Sequence, residues 1–184
     1  TRTKNFEISD NICTDKKLLQ LLITLKENDQ KYRKIKREKT KIEWEEQKSI
    51  DSFNRNILDS VLHSGVTLNA STIGSSGVKI AYLITQHSDD NPMFQHKLLG
   101  ELSKEYSYSG SNLSSYAMLI DRYNFNTEGV QFFGTQLHYY KVDSLTKQAI
   151  PEIICLQKYV HILRDYFNLP PLDFYIKDMT EYVN

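Results

Sequence analysis

Only two cysteines occur in the 184 residues, Cys13 and Cys155, and they lie near opposite ends of the chain. Two cysteines cannot make a zinc site without help from His or carboxylate ligands, and neither belongs to a C-x-x-C pair. They read either as two unrelated thiols or as one disulfide closing a very long loop, which would mark an exported protein. Long apolar runs are also missing: none approaches the roughly 20 residues that a membrane-crossing helix needs. Charge of one sign is missing as well, because 23 Lys and Arg balance 23 Asp and Glu. The chain therefore lacks the net positive field behind non-specific nucleic-acid binding, and no nucleic-acid partner is expected. There is no G-x-S-x-G elbow, and Gly74-Ser75-Ser76-Gly77 with Lys79 after it does not make a phosphate-binding loop. His63, His87 and His96 lack the short spacing of a zinc-binding helix, so no metal ligand is assigned. The chain opens on Thr1. Its expected location is cytoplasmic, or exported if an N-terminal leader has been removed.

What is present is an ordinary globular balance, 40% hydrophobic and 25% charged. The length suits one domain with a core of its own, expected over residues 14–184 behind an arm at 1–13. Thr14 is a candidate N-cap, and Leu18, Leu22, Leu25 and Tyr32 recur at helical spacing after it. Residues 15–47 hold no Gly or Pro, which predicts one long helix or a broken pair, with Trp44 in a charge-rich, solvated second half. A helix over 49–63 is predicted from the stripe Ile50, Phe53, Ile57, Leu58 and Val61, ending at Ser64-Gly65. Residues 65–77 read as a loop, and 78–86 as a buried helix. Asn91-Pro92 is a helix start ahead of the face Phe94, Leu98, Leu99 and Leu102, and residues 107–112 read as a turn. Leu113, Tyr116, Ala117 and Ile120 mark the next helix. From Tyr123 the period becomes two, which predicts a β-hairpin insert near residues 123–142, turned out at Asp143-Ser144. A helix ending near Asn168, the bend Leu169-Pro170-Pro171-Leu172 and a short last helix follow. The fold class is mainly α, with that small β element.

The informative feature is polar residues on apolar faces. Asp29 continues the spacing of Leu18, Leu22 and Leu25, with Arg33 four residues on. Asn54 lies on the stripe of the second helix, His87 continues the face of Ile80 and Ile84, and Asp121 follows Ile120. Buried polar groups must be hydrogen-bonded and buried charges paired. These groups either satisfy one another and cap helix ends, or they converge on a site. His87 beside Asp121 would form an oriented general base. Asp29, Asp51 and Asp121 are oxygen donors of the kind Mg²⁺ or Ca²⁺ takes, without a spacing that names a site. Arg33, Arg122 or Arg164 could clamp an anionic group.

Several segments, in order, resemble an uncharacterised bacterial family defined by a domain of unknown function. They are Asp29-Gln30 with Arg33, Asp51 with Asn54, and Gln86-His87-Ser88-Asp89 with Phe94-Gln95. Further on come Asp121-Arg122, Gly134-Thr135-Gln136, and Arg164 ahead of Leu169-Pro170-Pro171-Leu172. The resemblance implies that the awkward polar residues belong to a shared pattern, and it supplies no activity. Relatives often carry Gly-Trp-Pro where this chain has Gly65-Val66-Thr67, and some are exported or lipid-anchored. Three readings stay open. The first is a small hydrolase- or lyase-like enzyme, with His87 and Asp121 catalytic and Asp29, Gln30, Arg33, Asn54, Gln86, Arg122 and Gln136 binding substrate. The second is a non-catalytic module of immunity or accessory type, binding a small molecule or a protein through an aromatic patch near Phe132, Phe133, Tyr139 and Tyr140. The third is a structural polar core with Asp29–Arg33 and Asp121–Arg122 as internal ion pairs. The sequence names no cofactor and fixes no oligomeric state.

Overall fold

The computed structural model describes residues 13–34, 39–109, 113–143 and 146–183, with the side chains of 105–109 left aside. Among the described residues are seven α-helices and one two-stranded antiparallel sheet, and the chain divides into two compact units, Thr1–Tyr116 and Ala117–Asn184. Mainly helical architecture with a small β element is thus what the chain adopts. The expected arm lies almost wholly outside the described residues, as does the second half of the predicted turn at 107–112.

In the first unit, Asp15 rather than Thr14 caps α1 (Lys16–Asp29), its carboxylate accepting from Leu18 N at 2.9 Å. Thr14 N and Asp15 N donate to Ser71 O and Thr72 O, which ties the start of α1 to α3. The stretch 15–47, free of Gly and Pro, is a broken pair, with one helix ending at Asp29 and the next starting at Lys41. The second helix, α2 (Lys41–His63), begins at Thr40, whose hydroxyl accepts from Glu43 N while the Glu43 carboxylate accepts from Thr40 N. This reciprocal cap is the T-x-x-E spacing of Thr40 and Glu43, and it places the start of α2 eight residues before the predicted one.

The face α2 turns inward differs from the expected stripe. Its buried residues are Gln47, Asn54 and Leu58, whereas Phe53 is 55% exposed. The polar side chains face in because α1 offers them backbone carbonyls: Asn54 Nδ2 donates to Leu25 O at 2.9 Å and Gln47 Nε2 to Asp29 O at 3.0 Å. The apolar residues Phe53, Ile57 and Val61 instead line an open groove of about 540 Å³.

Helix α3 (Ala70–Gln86) starts inside the stretch expected to be loop, capped by Asn69. Gly74 interrupts it at φ 71°, ψ 164°, a conformation almost reserved for glycine. Beyond the kink the helix is the centre of the unit, with Val78, Ile80, Ala81, Tyr82, Ile84 and Thr85 all buried, and α1, α2 and α4 pack on it. The buried hydroxyls of Thr85 and Ser88 bond back to Ala81 O and Ile84 O. Asn91 caps α4 (Pro92–Ser109), which buries Phe94, Leu98, Leu99 and Leu102.

The unit boundary falls within α5 (Leu113–Glu128), which runs through the residues where a strand period was expected. Gly129, at φ 72°, ends it. The hairpin is β1 (Leu137–Lys141) against β2 (Lys147–Pro151), in register from Leu137 opposite Pro151 to Lys141 opposite Lys147. It therefore lies C-terminal to the predicted position, though Asp143 does turn the chain, its carboxylate accepting from Thr146 N. A single 3₁₀ turn (Gln157–Tyr159) leads into α6 (Val160–Tyr166), shorter than predicted, and the last helix is α7 (Leu172–Val183), which packs on β2. Ala117, Phe133 and Leu169 form the core cluster of this unit, with Phe132, Leu163 and Phe167 against it. Phe133 is therefore core, and of the predicted aromatic patch Tyr140 is the large exposed member. Neither cysteine is in a disulfide: Cys13 is buried and Cys155 exposed.

Two glycine substitutions are predicted to move stability in opposite directions. Gly74→Ala forces a Cβ into a positive-φ kink and costs about 1–3 kcal/mol. Gly100→Ala lies on the exposed side of α4 with no atom within 4 Å of the new Cβ, and gains about 0.5–1 kcal/mol of helix stability. Urea unfolding of the two variants beside the parent reads both; equal signs would contradict the assignment of the kink.

Candidate functional site

Asp29 is the last residue of α1 and is 1% exposed. A carboxylate there stands in the negative field of a helix C-terminus and away from water, so it needs donors. It has three. Gln30 Nε2 donates to Oδ2 at 2.6 Å, Arg33 Nη1 to Oδ1 at 3.2 Å, and His87 Nδ1 lies 2.7 Å from Oδ1. Arg33 also donates through Nη1 to the main-chain carbonyl of Asp29 at 2.8 Å, one of the carbonyls a helix end leaves without a partner. Its other partner is Asp51 on α2, which takes Nη1 and Nη2 at 2.8 Å each in a bidentate pair. Gln47, one turn before Asp51, completes the frame. Its Nε2 donates to Asp29 O and Asp51 Oδ1, and its Oε1 accepts from Tyr32 N. Gln47 escaped the sequence reading, although Gln47, Asp51, Asn54 and Leu58 share one helical face by their 4-3-4 spacing.

His87 is the C-cap of α3, so the central helix sets its backbone. Only a donor can stand 2.7 Å from a carboxylate oxygen, which fixes the imidazole as the Nδ1–H tautomer when neutral. Nε2 then carries the lone pair. No residue among those described hydrogen-bonds Nε2, and the side chain is 20% exposed. Gln86, beside it, is half-buried and likewise makes no side-chain hydrogen bond among the described residues. The Arg33 charge, by contrast, is shared between two carboxylates, which leaves it poorly placed to clamp an anion. The carboxylate that orients His87 is Asp29; Asp121 spends its oxygens elsewhere.

Asp121 lies on α5 in the second unit with no exposure. Its Oδ1 accepts from Phe132 N at 2.8 Å and Phe133 N at 3.0 Å, and its Oδ2 from Thr135 N at 2.9 Å and the Thr135 hydroxyl at 2.8 Å. Burial pushes this carboxyl above the ordinary aspartate range, against the pull of those donors. The same loop is held from a second direction. Arg164, 1% exposed, donates Nη1 to Phe133 O and Nε to Pro170 O, and stacks its guanidinium 4.9 Å over the ring of Tyr175. Burial lowers its pKa, while Tyr175 and Asp121 raise it. The buried Gln131 side chain takes Gln136 N and Gln136 O, two groups a strand would pair. Of the alternating residues, Gln131 makes an isolated parallel bridge with Ile154, and no strand extends from it because side chains take Phe132 N, Phe133 N, Phe133 O and Thr135 N. Gln136 Oε1 accepts from Arg122 Nη1 at 2.8 Å. Gly134, at φ 72°, admits Ile154 and Leu172 to 2.9 Å of where a Cβ would be.

The ordered motifs thus sort into two sets. Asp29, Gln30, Arg33, Asp51, Asn54, Gln86 and His87 belong to the first unit, and Asp121, Arg122, Gln136 and Arg164 to the second. Among the described residues no group of three or more His, Cys, Asp or Glu is arranged to hold a metal ion, and no helix is long and apolar enough to cross a membrane.

Asp121→Ala is predicted to leave three backbone N–H groups and the Thr135 hydroxyl without an acceptor, at about 1–3 kcal/mol for each group that stays dry. Urea unfolding should show one of the largest single-residue losses in the chain. A loss below about 1 kcal/mol would mean that the loop does not hang on this carboxylate.

No curated protein and no solved structure matches the chain. A family of unknown function, DUF6624, matches residues 16–183, which takes in both polar clusters, and the chain belongs to that family.

Proposed function

We propose that the chain is a small enzyme of hydrolase or lyase type in which His87 moves a proton at Nε2. The observation that carries this reading is the Asp29–His87 pair, 2.7 Å apart, with no group on Nε2 among the described residues. A general base needs one ring nitrogen held and the other within reach of substrate: His87 is held at Nδ1, and on its partly exposed side chain no group among the described residues bonds Nε2. Asp29 selects the tautomer and stands where it stabilises the imidazolium formed as Nε2 accepts a proton. Gln86 is the neighbouring side chain with hydrogen-bonding capacity left for a small-molecule substrate. Gln30, Arg33 and Asn54 support the pair or the helices that carry it. In this reading Asp121, Arg122 and Gln136 shape the 131–136 loop of the second unit.

The alternative is a non-catalytic binding module, favoured by the open apolar groove along α2 around the exposed Phe53. It predicts that Phe53→Asp abolishes association with a partner and that His87→Ala leaves it intact.

A panel of ester, amide, phosphoester and β-elimination substrates, assayed with purified parent protein, His87→Ala and Asp29→Asn, tests the enzyme reading. A positioned general base is worth about 10²–10⁴-fold. We expect His87→Ala to remove that factor from kcat/KM, and Asp29→Asn to lose at least 10-fold with the fold retained. Turnover that survives His87→Ala, or an inert parent across the panel, would sink the proposal.

A further inference from the structure

We propose that Arg33 and Asp51 are positioning residues for the Asp29–His87 pair. This rests on the reading of His87 as the proton-transfer group. Among the described residues the His87 ring has one hydrogen-bond anchor, Asp29 Oδ1, so its orientation is only as well defined as that carboxylate. Asp29 lies at a helix end, where the last carbonyls lack intrahelical donors and the backbone frays most readily. Arg33 Nη1 grips both features of Asp29, its main-chain oxygen at 2.8 Å and Oδ1 at 3.2 Å. Oδ1 is also the atom that holds His87, so guanidinium and imidazole share one oxygen. Arg33 lies beyond the end of α1, where the chain no longer fixes its side chain. The bidentate pair with Asp51 does so instead, and anchors the guanidinium to the middle of α2. Gln47 then ties Asp51 Oδ1 to Asp29 O from the same face of α2. The line of support runs from α2 through Asp51 and Arg33 to Asp29, and from there to the ring on α3. Neither residue needs to touch the substrate.

Charge supports the same assignment. Asp29 is 1% exposed and would be costly to bury without a cation, and Arg33 is the cation that touches it whatever the protonation state of His87. A lysine could supply the charge but not the planar fork that meets Asp51 with two donors while a third bond reaches Asp29.

The test reads the ring directly and needs no substrate. In full-length protein labelled with ¹⁵N-histidine, long-range ¹H–¹⁵N correlation reports the tautomer, and a low-field proton line reports the Nδ1–H to carboxylate bond. The parent should show His87 as a single Nδ1–H tautomer with that line present. Arg33→Ala and Asp51→Asn should lose the line and shift His87 towards mixed tautomers, while His63, His96, His138 and His161 stay as they are. Guanidinium ion at millimolar concentration should restore the line in Arg33→Ala and not in Asp51→Asn. If Arg33→Ala does not fold, Arg33→Lys carries the test, with the same loss expected. A parent-like His87 signal in the folded variant would overturn the positioning role. That result is separable from failure of the enzyme reading, which is decided by the turnover of His87→Ala.

Discussion

A carboxylate buried at the wrong end of a helix dictates how the first unit is assembled. Asp29 occupies the position in the leucine stripe of α1 where a fourth leucine would be the simple solution. Because it is charged, and because the C-terminal dipole of α1 repels it, every nearby element has to supply a donor. The chain just past α1 gives Gln30 and Arg33, α2 gives Gln47 to the adjoining carbonyl and Asp51 to hold Arg33, and α3 gives His87. This requirement explains why α2 turns Gln47, Asp51 and Asn54 inward and leaves Phe53 in solvent. A hydrophobic seam between α1 and α2 would bury more apolar area, at about 25 cal/mol per Å². The seam that exists exchanges some of that gain for directional bonds.

The second unit also contains a buried aspartate, and the contrast between the two is instructive. Among the described residues Asp121 takes its donors from one loop of its own unit, three of them peptide N–H groups, and both its oxygens are spent on holding that loop. Asp29 includes among its donors an imidazole whose far nitrogen meets no group among the described residues. Burial and hydrogen bonding alone do not separate a structural carboxylate from an orienting one; what lies on the other side of its partners does. Adjacent Asp121 and Arg122 both hold the 131–136 loop rather than each other, Arg122 through Gln136, and the cation whose charge acts on Asp121 is Arg164, far along the chain.

Much of the helical framework was legible because Leu18–Leu22–Leu25, the run at 78–86 and the face Phe94–Leu98–Leu102 repeat at the helical period. Asp29, Asn54, His87 and Asp121 stood out because each interrupts such a face. What could not be read was which partner each would find. His87 and Asp29 are 58 residues apart in the chain, and nothing local distinguishes Asp29 from Asp121 as the carboxylate for Nδ1. The α2 stripe was misread for a related reason: residues 50, 53, 57 and 61 are apolar and periodic, but the carbonyls of α1 decide which face is buried. The hairpin lies C-terminal to the predicted position because the alternation at 130–140 is genuine in the side chains, while Asp121, Gln131 and Arg164 claim backbone groups between Phe132 and Gln136.

A polar seam of this kind is an expensive way to hold two helices together, since a half-satisfied network is worse than an apolar one. Its advantage is directional. A leucine in place of Asp29 would fix the spacing of α1 against α3 and say nothing about the rotation of the ring on His87. The pair of Asp29 with His87, braced by Arg33 and Asp51, fixes that rotation and with it the direction of the Nε2 lone pair. Asn54 Oδ1 points the same way: it is buried with no hydrogen-bond partner among the described residues, a cost of about 1–3 kcal/mol accepted next to the same helix end. Selection for stability alone would remove both expenses with apolar side chains. Under the proposed function, the polar groups that α2 turns inward, Asp51 and Asn54 on one face, serve the placement of one imidazole at some expense in the strength of the seam beneath it.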